Sequence, residues 1–206
     1  MIQVSLKQAP AYVALSYVWG STASHKKILC NNTDMMITEN LHSALTQLRL
    51  VDQPRLIWID QLCINQSDLE ERSSQVLLMC DIYHGAQEVV VWLGEESDDS
   101  ARALDLLVNF ATAVKRLPPY TAYQSVDIED YGLPPLNDPA WKALANLFHR
   151  SWVSRSQHSG GSSVPRLWIL ICPSSNVSGP CKRLSLPAKP SYYVDQILSI
   201  GLLLQT

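Results

Sequence analysis

Several groups of residues in this chain have the types and spacing to do chemistry. Ser16, Trp19, Gly20 and Ser21 follow the apolar run YVALSYV, so backbone amides, a hydroxyl and an indole could line a nucleotide crevice at a strand end. The alternative is a strand-to-loop turn packed by Trp19. Asp60, Cys63, Asn65 and Gln66 cluster behind a second apolar run, where they could hold a ribose or orient a water. They could equally brace a loop, because Asp and Asn side chains close local turns onto backbone amides. Cys63 has no His beside it in sequence to serve as a base, and is expected to be a small packed residue rather than a nucleophile.

Glu70, Glu71 and Arg72 open a helical pattern, where acids favour the positive end of the helix dipole and Arg72 could pair with Glu71 or Asp68. Gln75 stands one turn beyond Glu71, so the two share a face that could look toward the Asp60 loop. Glu95 and Glu96 follow a third apolar run, and with Asp60 they are the acids that stand just past a strand end. Either could act as a general base, although acids also commonly begin helices. His25, His42, His84, His149 and His158 are scattered without ligand spacing, and no bound metal is expected. The chain has neither a G-x-G-x-x-G fingerprint nor a Walker loop.

These groups need elements to position them. The run from Tyr12 to Val18 reads as a buried strand, and Lys27–Cys30 with Met35–Thr38 as a hairpin about Asn31-Asn32. Leu41, Ala44, Leu45 and Leu48 fall at helical spacing, with Thr38 or Asn40 available as a cap. Leu56–Ile59 has the pattern of a central parallel strand closed by Asp60. Ser67 with Glu70 forms a capping box for a helix to about His84, whose Leu69, Ser73, Val76, Cys80 and Tyr83 recur at alternating steps of four and three. Glu88–Leu93 reads as the next strand. Ser97 can cap a helix with Leu104, Leu107, Val108 and Ala111 on its buried face. A Pro-rich surface connection from Leu117 to Pro139, fit for an insertion or lid, precedes a short helix to His149.

Strand and helix therefore alternate, which predicts an α/β fold with a mostly parallel sheet. With 206 residues, 47% of them hydrophobic, one sizeable core is expected. The net charge of -3, with no basic stripe interleaved with aromatics, argues against nucleic acid. Five cysteines without a C-x-x-C pair, and an amino terminus unlike a signal peptide, fit a reducing cytoplasmic home. The late apolar stretch Ile197–Leu204 is too short for the ~20 residues of a membrane span. After Arg155 the composition turns Ser- and Pro-rich, with Asp195 as the last acid. A boundary is expected at about Ser156, with a poorly ordered tail over 156–206.

YVALSYVWG at Tyr12–Gly20, including Ser16, Tyr17, Trp19 and Gly20, closely resembles the fungal heterokaryon incompatibility (HET) domain. So does IWIDQLCINQ at Ile57–Gln66, followed by a helix bearing Glu71, Arg72 and Gln75. The resemblance runs on through Asn40-Leu41 and VVVWLG at Val89–Gly94, and more faintly into Phe148-His149-Arg150-Ser151-Trp152. It covers roughly residues 1–155. The family's later Trp and Gln-Glu block is missing, since Arg155 is followed by SQHSGGSSVPRLWIL.

The resemblance implies a remote likeness to Toll/interleukin-receptor (TIR) domains, and so a TIR-like or flavodoxin-like sheet with helices on both faces, incomplete on its carboxyl-terminal side. It implies a signalling module of fungal non-self recognition and programmed cell death, acting by self-association or with another incompatibility protein. Some TIR-like domains cleave NAD. That gives the rival expectation of an NAD or nucleotide glycohydrolase, with NAD as substrate rather than resident cofactor and with Glu71, Glu95 or Asp60 as the available carboxylates. Without the later block such an enzyme would be inactive, and a third expectation is a truncated fragment without function.

Overall fold

The computed structural model describes residues 1–114, 116 and 127–152, and the backbone of Leu167–Cys172 and Lys182–Leu186. At its centre β1 (Val13–Tyr17) lies between β4 (Ile57–Trp58) and β5 (Glu88–Glu95), parallel to both. Val13 and Leu15 point to one face of the sheet, Ala14 to the other, and β5 alternates likewise with Val90 and Trp92 against Val89, Val91 and Leu93. Each face is covered. On one lie the hairpin β2 (His25–Cys30) and β3 (Thr33–Thr38) with α1 (Glu39–Leu48), which buries Leu41, Ala44 and Leu48. On the other lie α3 (Leu69–Gly85), α4 (Ser100–Val114) and α5 (Pro139–Phe148). The short α2 (Asp60–Cys63) joins β4 to α3 and packs Leu62 against the first face. The α/β class and the parallel pairing of β1 agree with the sequence.

The hairpin turns at Asn31 and Asn32 with φ of 49° and 62°, the pair of left-handed residues that a two-residue turn between twisted strands requires. Thr38 caps α1 by accepting from the Leu41 amide at 3.4 Å.

Other expectations are corrected. β4 is not central. It holds one edge of the order β4-β1-β5-β6-β7 and pairs through only two residues, because the chain turns into α2 at Asp60. Its apolar run reports burial on two faces rather than a neighbour on each side, Ile57 and Ile59 joining one core and Trp58 the other. Asp68, not Ser67, caps α3, its Oδ1 accepting from the amides of Glu70 and Glu71 at 2.9 and 3.1 Å. A carboxylate one residue nearer the helix reaches both free amides and takes the place of the capping box. Of the four-three stripe on α3, Leu69, Val76 and Cys80 are exposed, and the helix turns Ile82 inward instead. α4 buries Ala103, Leu106, Phe110 and Ala113 beside Leu104 and Leu107, leaving Val108 exposed, because α5 packs on its flank.

The connection read as an insertion or lid over Leu117–Pro139 falls partly outside the described residues. Its last part forms a 3₁₀ turn at Ile128–Tyr131 closed by Gly132 at φ 78°, and buries Leu133. Beyond the expected boundary at Ser156, β6 (Leu167–Cys172) pairs parallel to β5 and β7 (Lys182–Leu186) antiparallel to β6. These two segments extend the sheet beside β5. The run LWILIC is continuously apolar, as a strand inside a sheet tends to be. The rest of 153–206 lies outside the described residues.

Candidate functional site

The strand order reverses at β1. The chain passes to β4 on one side, then crosses back to β5 on the other. The crevice beyond the carboxyl ends of β1 and β5 is where an open parallel sheet of this kind places its ligands. The sequence candidates converge on this end, and hydrogen bonds join many of them.

Trp19 leaves β1 and its indole Nε1 donates to Asp60 Oδ2 at 2.9 Å, while the other carboxylate oxygen accepts from the Gln61 amide at 2.7 Å. The backbone carbonyl of Asp60 accepts from Gln66 Nε2 at 3.0 Å. Asn65 Oδ1 closes a local turn onto the Ser67 amide, and its own amide donates to Glu71 Oε1 at 3.1 Å. Glu71 thus faces the Asp60 loop, as its helical position implied. Gln75 is half-buried one turn on. Arg72 is exposed and forms no ion pair with Glu71 or Asp68, since the two ion pairs among the described residues lie on the hairpin and α1. Asp68 is already engaged by the helix amides, which leaves the long Arg72 side chain in water.

Gly20 holds φ at 80°, and a Cβ there would stand 3.2 Å from Asn40 Cβ, so the turn out of β1 admits no side chain without strain. Asn40 fills the space beneath. Its Nδ2 donates to the Val18 carbonyl at 2.5 Å and its Oδ1 accepts from Trp92 Nε1 at 2.8 Å, which ties the first turn of α1 to both strands.

Tyr17, Tyr83 and Ser16 form a second polar layer. Tyr17 donates to Gln61 Oε1 at 3.1 Å, and Tyr83 donates to the Leu15 carbonyl at 3.2 Å while packing edge-on against Trp58. Burial, and then the negative charge of Asp60, hold the Tyr17 phenol above its ordinary range. The same two causes push Tyr83 up to about 12. Both are neutral donors at physiological pH. Cys63 is exposed at the end of α2 rather than packed as expected, and partial desolvation, reinforced by Asp60, still raises its thiol, which disfavours a thiolate nucleophile.

Arg150 closes the site from the far end of the chain. Its Nη1 donates to the carbonyls of Leu93 and Glu95 at 3.0 and 2.9 Å, and its Nη2 to the hydroxyls of Ser97 and Ser100 at 3.0 and 2.9 Å. One planar fork thus satisfies four acceptors where β5 hands over to α4. Desolvation lowers the guanidinium pKa, countered by the charges of Asp99 and Glu96. Trp152 follows, its indole donating to Ser16 Oγ at 2.9 Å.

The arrangement acts chemically as a brace. Asp60 engages both carboxylate oxygens, Asn40 bonds through both atoms of its amide, and Ser16 and Glu71 accept from Trp152 and from the Asn65 amide. Glu95 lies apart from it, exposed, with Oε1 accepting from Ser43 at 3.3 Å beside an open cleft of about 550 Å³ lined by Ser21, Lys26, Glu39, Asn40 and His42. No group of three or more His, Cys, Asp or Glu among the described residues could hold a metal ion. No helix among them is long and apolar enough to cross a membrane.

The sequence names no site role for Arg150, Trp152, Gln61 or Tyr83, which stands there only in the stripe of α3, and offers Asn40 as a cap and as part of the Asn40-Leu41 resemblance. Arg150 and Trp152 stood in the Arg-aromatic block that carried part of the resemblance, which was the signal available. Their partners are strand carbonyls and a distant serine, which leave no pattern in sequence.

A protein-family model described as Heterokaryon incompatibility protein (HET) matches residues 12–156, a span that takes in the whole brace from Ser16 to Trp152. Heterokaryon incompatibility protein 6, OR allele, of Neurospora crassa is 46% identical over 111 residues, covering 48% of this chain and 16% of that protein. This chain therefore corresponds to a small part of that relative's length. No solved structure matches it. The family match spans well over half of the sequence, and the chain belongs to the heterokaryon incompatibility (HET) family.

Proposed function

We propose that this chain is a signalling module of fungal non-self recognition, which triggers growth arrest or death of the cell after incompatible fusion. Its partners are further copies of itself or another incompatibility protein. The observation that carries this reading is the brace: Asp60 has both carboxylate oxygens engaged, by Trp19 and by the Gln61 amide, and Glu71 is tied to Asn65. Groups so committed hold a surface in shape and are poorly placed to move protons. The family description and the name of the Neurospora relative support the same reading.

A TIR-like or flavodoxin-like arrangement is supported by the parallel pairing of β4, β1 and β5, by helices on both faces and by the reversal of strand order at β1. We place the HET domain at residues 1–155, with 156–206 as a divergent tail, and its site of action in the cytoplasm.

The rival enzyme reading rests on Glu95, exposed beside the cleft at the carboxyl end of β5. One pair of measurements separates the two. The chain is expressed from an inducible promoter in a compatible fungal strain and growth is followed, and the purified chain is incubated with NAD. Growth arrest with no NAD consumption supports the signalling module. NAD turnover that disappears in Glu95→Gln establishes the glycohydrolase, and absence of both overturns each.

A further inference from the structure

β5 is paired on both sides, and one of its two neighbours comes from outside the family match. Val89 to Leu93 are buried in succession along it, and β1 pairs along one side. Along the other, Val89 stands opposite Leu167, Val90 opposite Trp168, Val91 opposite Ile169, Trp92 opposite Leu170 and, past a register shift, Glu95 opposite Cys172. The residues that match the family model end at 156, so β6 and β7 both lie beyond them.

A buried apolar strand with one side unpaired presents a row of amides and carbonyls, the template on which another extended chain adds itself. β6 removes that template by parallel pairing, and its sequence LWILIC is as apolar as the VVVW it lies beside. β7 then ends the order β4-β1-β5-β6-β7 in a different character. Its sequence KRLSL sets Arg183 opposite Leu170 and Lys182 opposite Ile171. Cationic residues on an edge strand oppose further strand addition, because the incoming chain would have to desolvate them.

We propose that β6 and β7 form a strap, which takes the open side of β5 and keeps it from pairing with extended apolar segments of other polypeptides. The strap exchanges an apolar edge for a cationic one. It is seated beyond the sheet as well, since β7 lies beside α4. The brace from Ser16 to Trp152 is built within the matched residues, so opening the strap leaves it in place.

Hydrogen exchange of the purified 206-residue chain reads the strap directly. Amides of Leu167–Cys172 and Lys182–Leu186 are expected to exchange on the order of a hundredfold more slowly than unstructured chain. Exchange at the unstructured rate overturns the proposal. Ile169→Pro removes an amide from the middle of a strand paired on both sides. It is expected to speed exchange in Glu88–Glu95 about tenfold, to keep Val13–Tyr17 protected, and to drive the chain into sheet-rich aggregates seen by light scattering. Loss of protection in Val13–Tyr17 as well would show the sheet falling as one unit, with no separable strap.

A second variant closes the strap instead of opening it. Glu95→Cys places a thiol at the register partner of Cys172, and diamide joins the two, two thiols giving one disulfide as diamide is reduced to the hydrazine. The joined chain is expected to aggregate more slowly on warming than the same variant reduced. Failure of the 95–172 disulfide to form, an Ile169→Pro chain that stays dispersed, or aggregation indifferent to the disulfide would each overturn the proposal. The strap does not rest on the signalling reading, and its failure on purified protein is distinct from a failure of the growth-arrest assay.

Discussion

The indole of Trp152 donates to the hydroxyl of Ser16 at 2.9 Å across 136 residues of sequence, so the last described turn of the family domain seals the carboxyl end of its first strand. Ser16→Ala leaves a part-buried indole N–H without its acceptor and is expected to cost about 1–2 kcal/mol. Trp152→Phe removes the donor as well. A double-mutant cycle by urea unfolding should return a coupling of about 1 kcal/mol between the two; a coupling near zero would show the bond contributes nothing.

Arg150 meets four acceptors with one rigid fork, which a lysine cannot copy. Arg150→Lys is expected to destabilise by about 2 kcal/mol and Arg150→Ala by about 3 kcal/mol, measured in the same urea titration. Equal stability of the lysine variant would mean that charge, not the fork, is what matters.

Asp60→Asn replaces an acceptor by a donor that must face either the Trp19 indole or the Gln61 amide, both donors. A loss of about 1–2 kcal/mol is expected, together with altered Trp19 fluorescence as the indole loses its partner. Asp60→Glu, which keeps the charge, should not recover the fluorescence if position as well as charge is required.

Tyr17 and Tyr83 are both held above the ordinary phenol range in the folded protein, Tyr83 at about 12. In the unfolded chain each ionises near ~10. Their contribution to stability is fully present below ~10 and is lost as pH rises toward about 12, because the unfolded chain releases its phenolic protons first. Alkaline unfolding followed by absorbance at 295 nm should show stability falling through that window. Tyr83→Phe should flatten the fall; an unchanged slope would place the effect elsewhere.

The hairpin turn uses two left-handed asparagines in succession. Asn32→Gly removes the Cβ at a positive φ and is expected to stabilise the protein by about 0.5 kcal/mol, while Asn32→Val is expected to cost more than 1 kcal/mol. Thermal melts decide between them.

What could be read beforehand was local. β1, the hairpin, α1 and β5 declare themselves because an alternation, an Asn-Asn turn or a cap is complete within a few residues. The periodicity of α3 is equally plain, yet it gives a stripe and not what the stripe faces: Leu69 and Val76 are exposed, and Ile82 is the buried residue of the helix. β4 was placed centrally because apolarity on two faces looks the same at an edge once both faces are covered. The Asp60 loop was visible as a polar cluster, but the choice between chemistry and bracing needed Trp19, contributed by another element. Arg150 was unreadable as a clamp because its acceptors include main-chain carbonyls, which every residue has.

Order in the sheet also sets an order in time. β1 is made first, but its long neighbour β5 starts at Glu88 and its lock at Trp152 is the last of the family domain to leave the ribosome. Parallel pairing of such distant segments cannot nucleate locally, because the loop between them must close before the pairing is rewarded. Until Trp152 emerges, the nascent chain carries the end of its apolar first strand unsealed, a surface open to wrong pairing during synthesis.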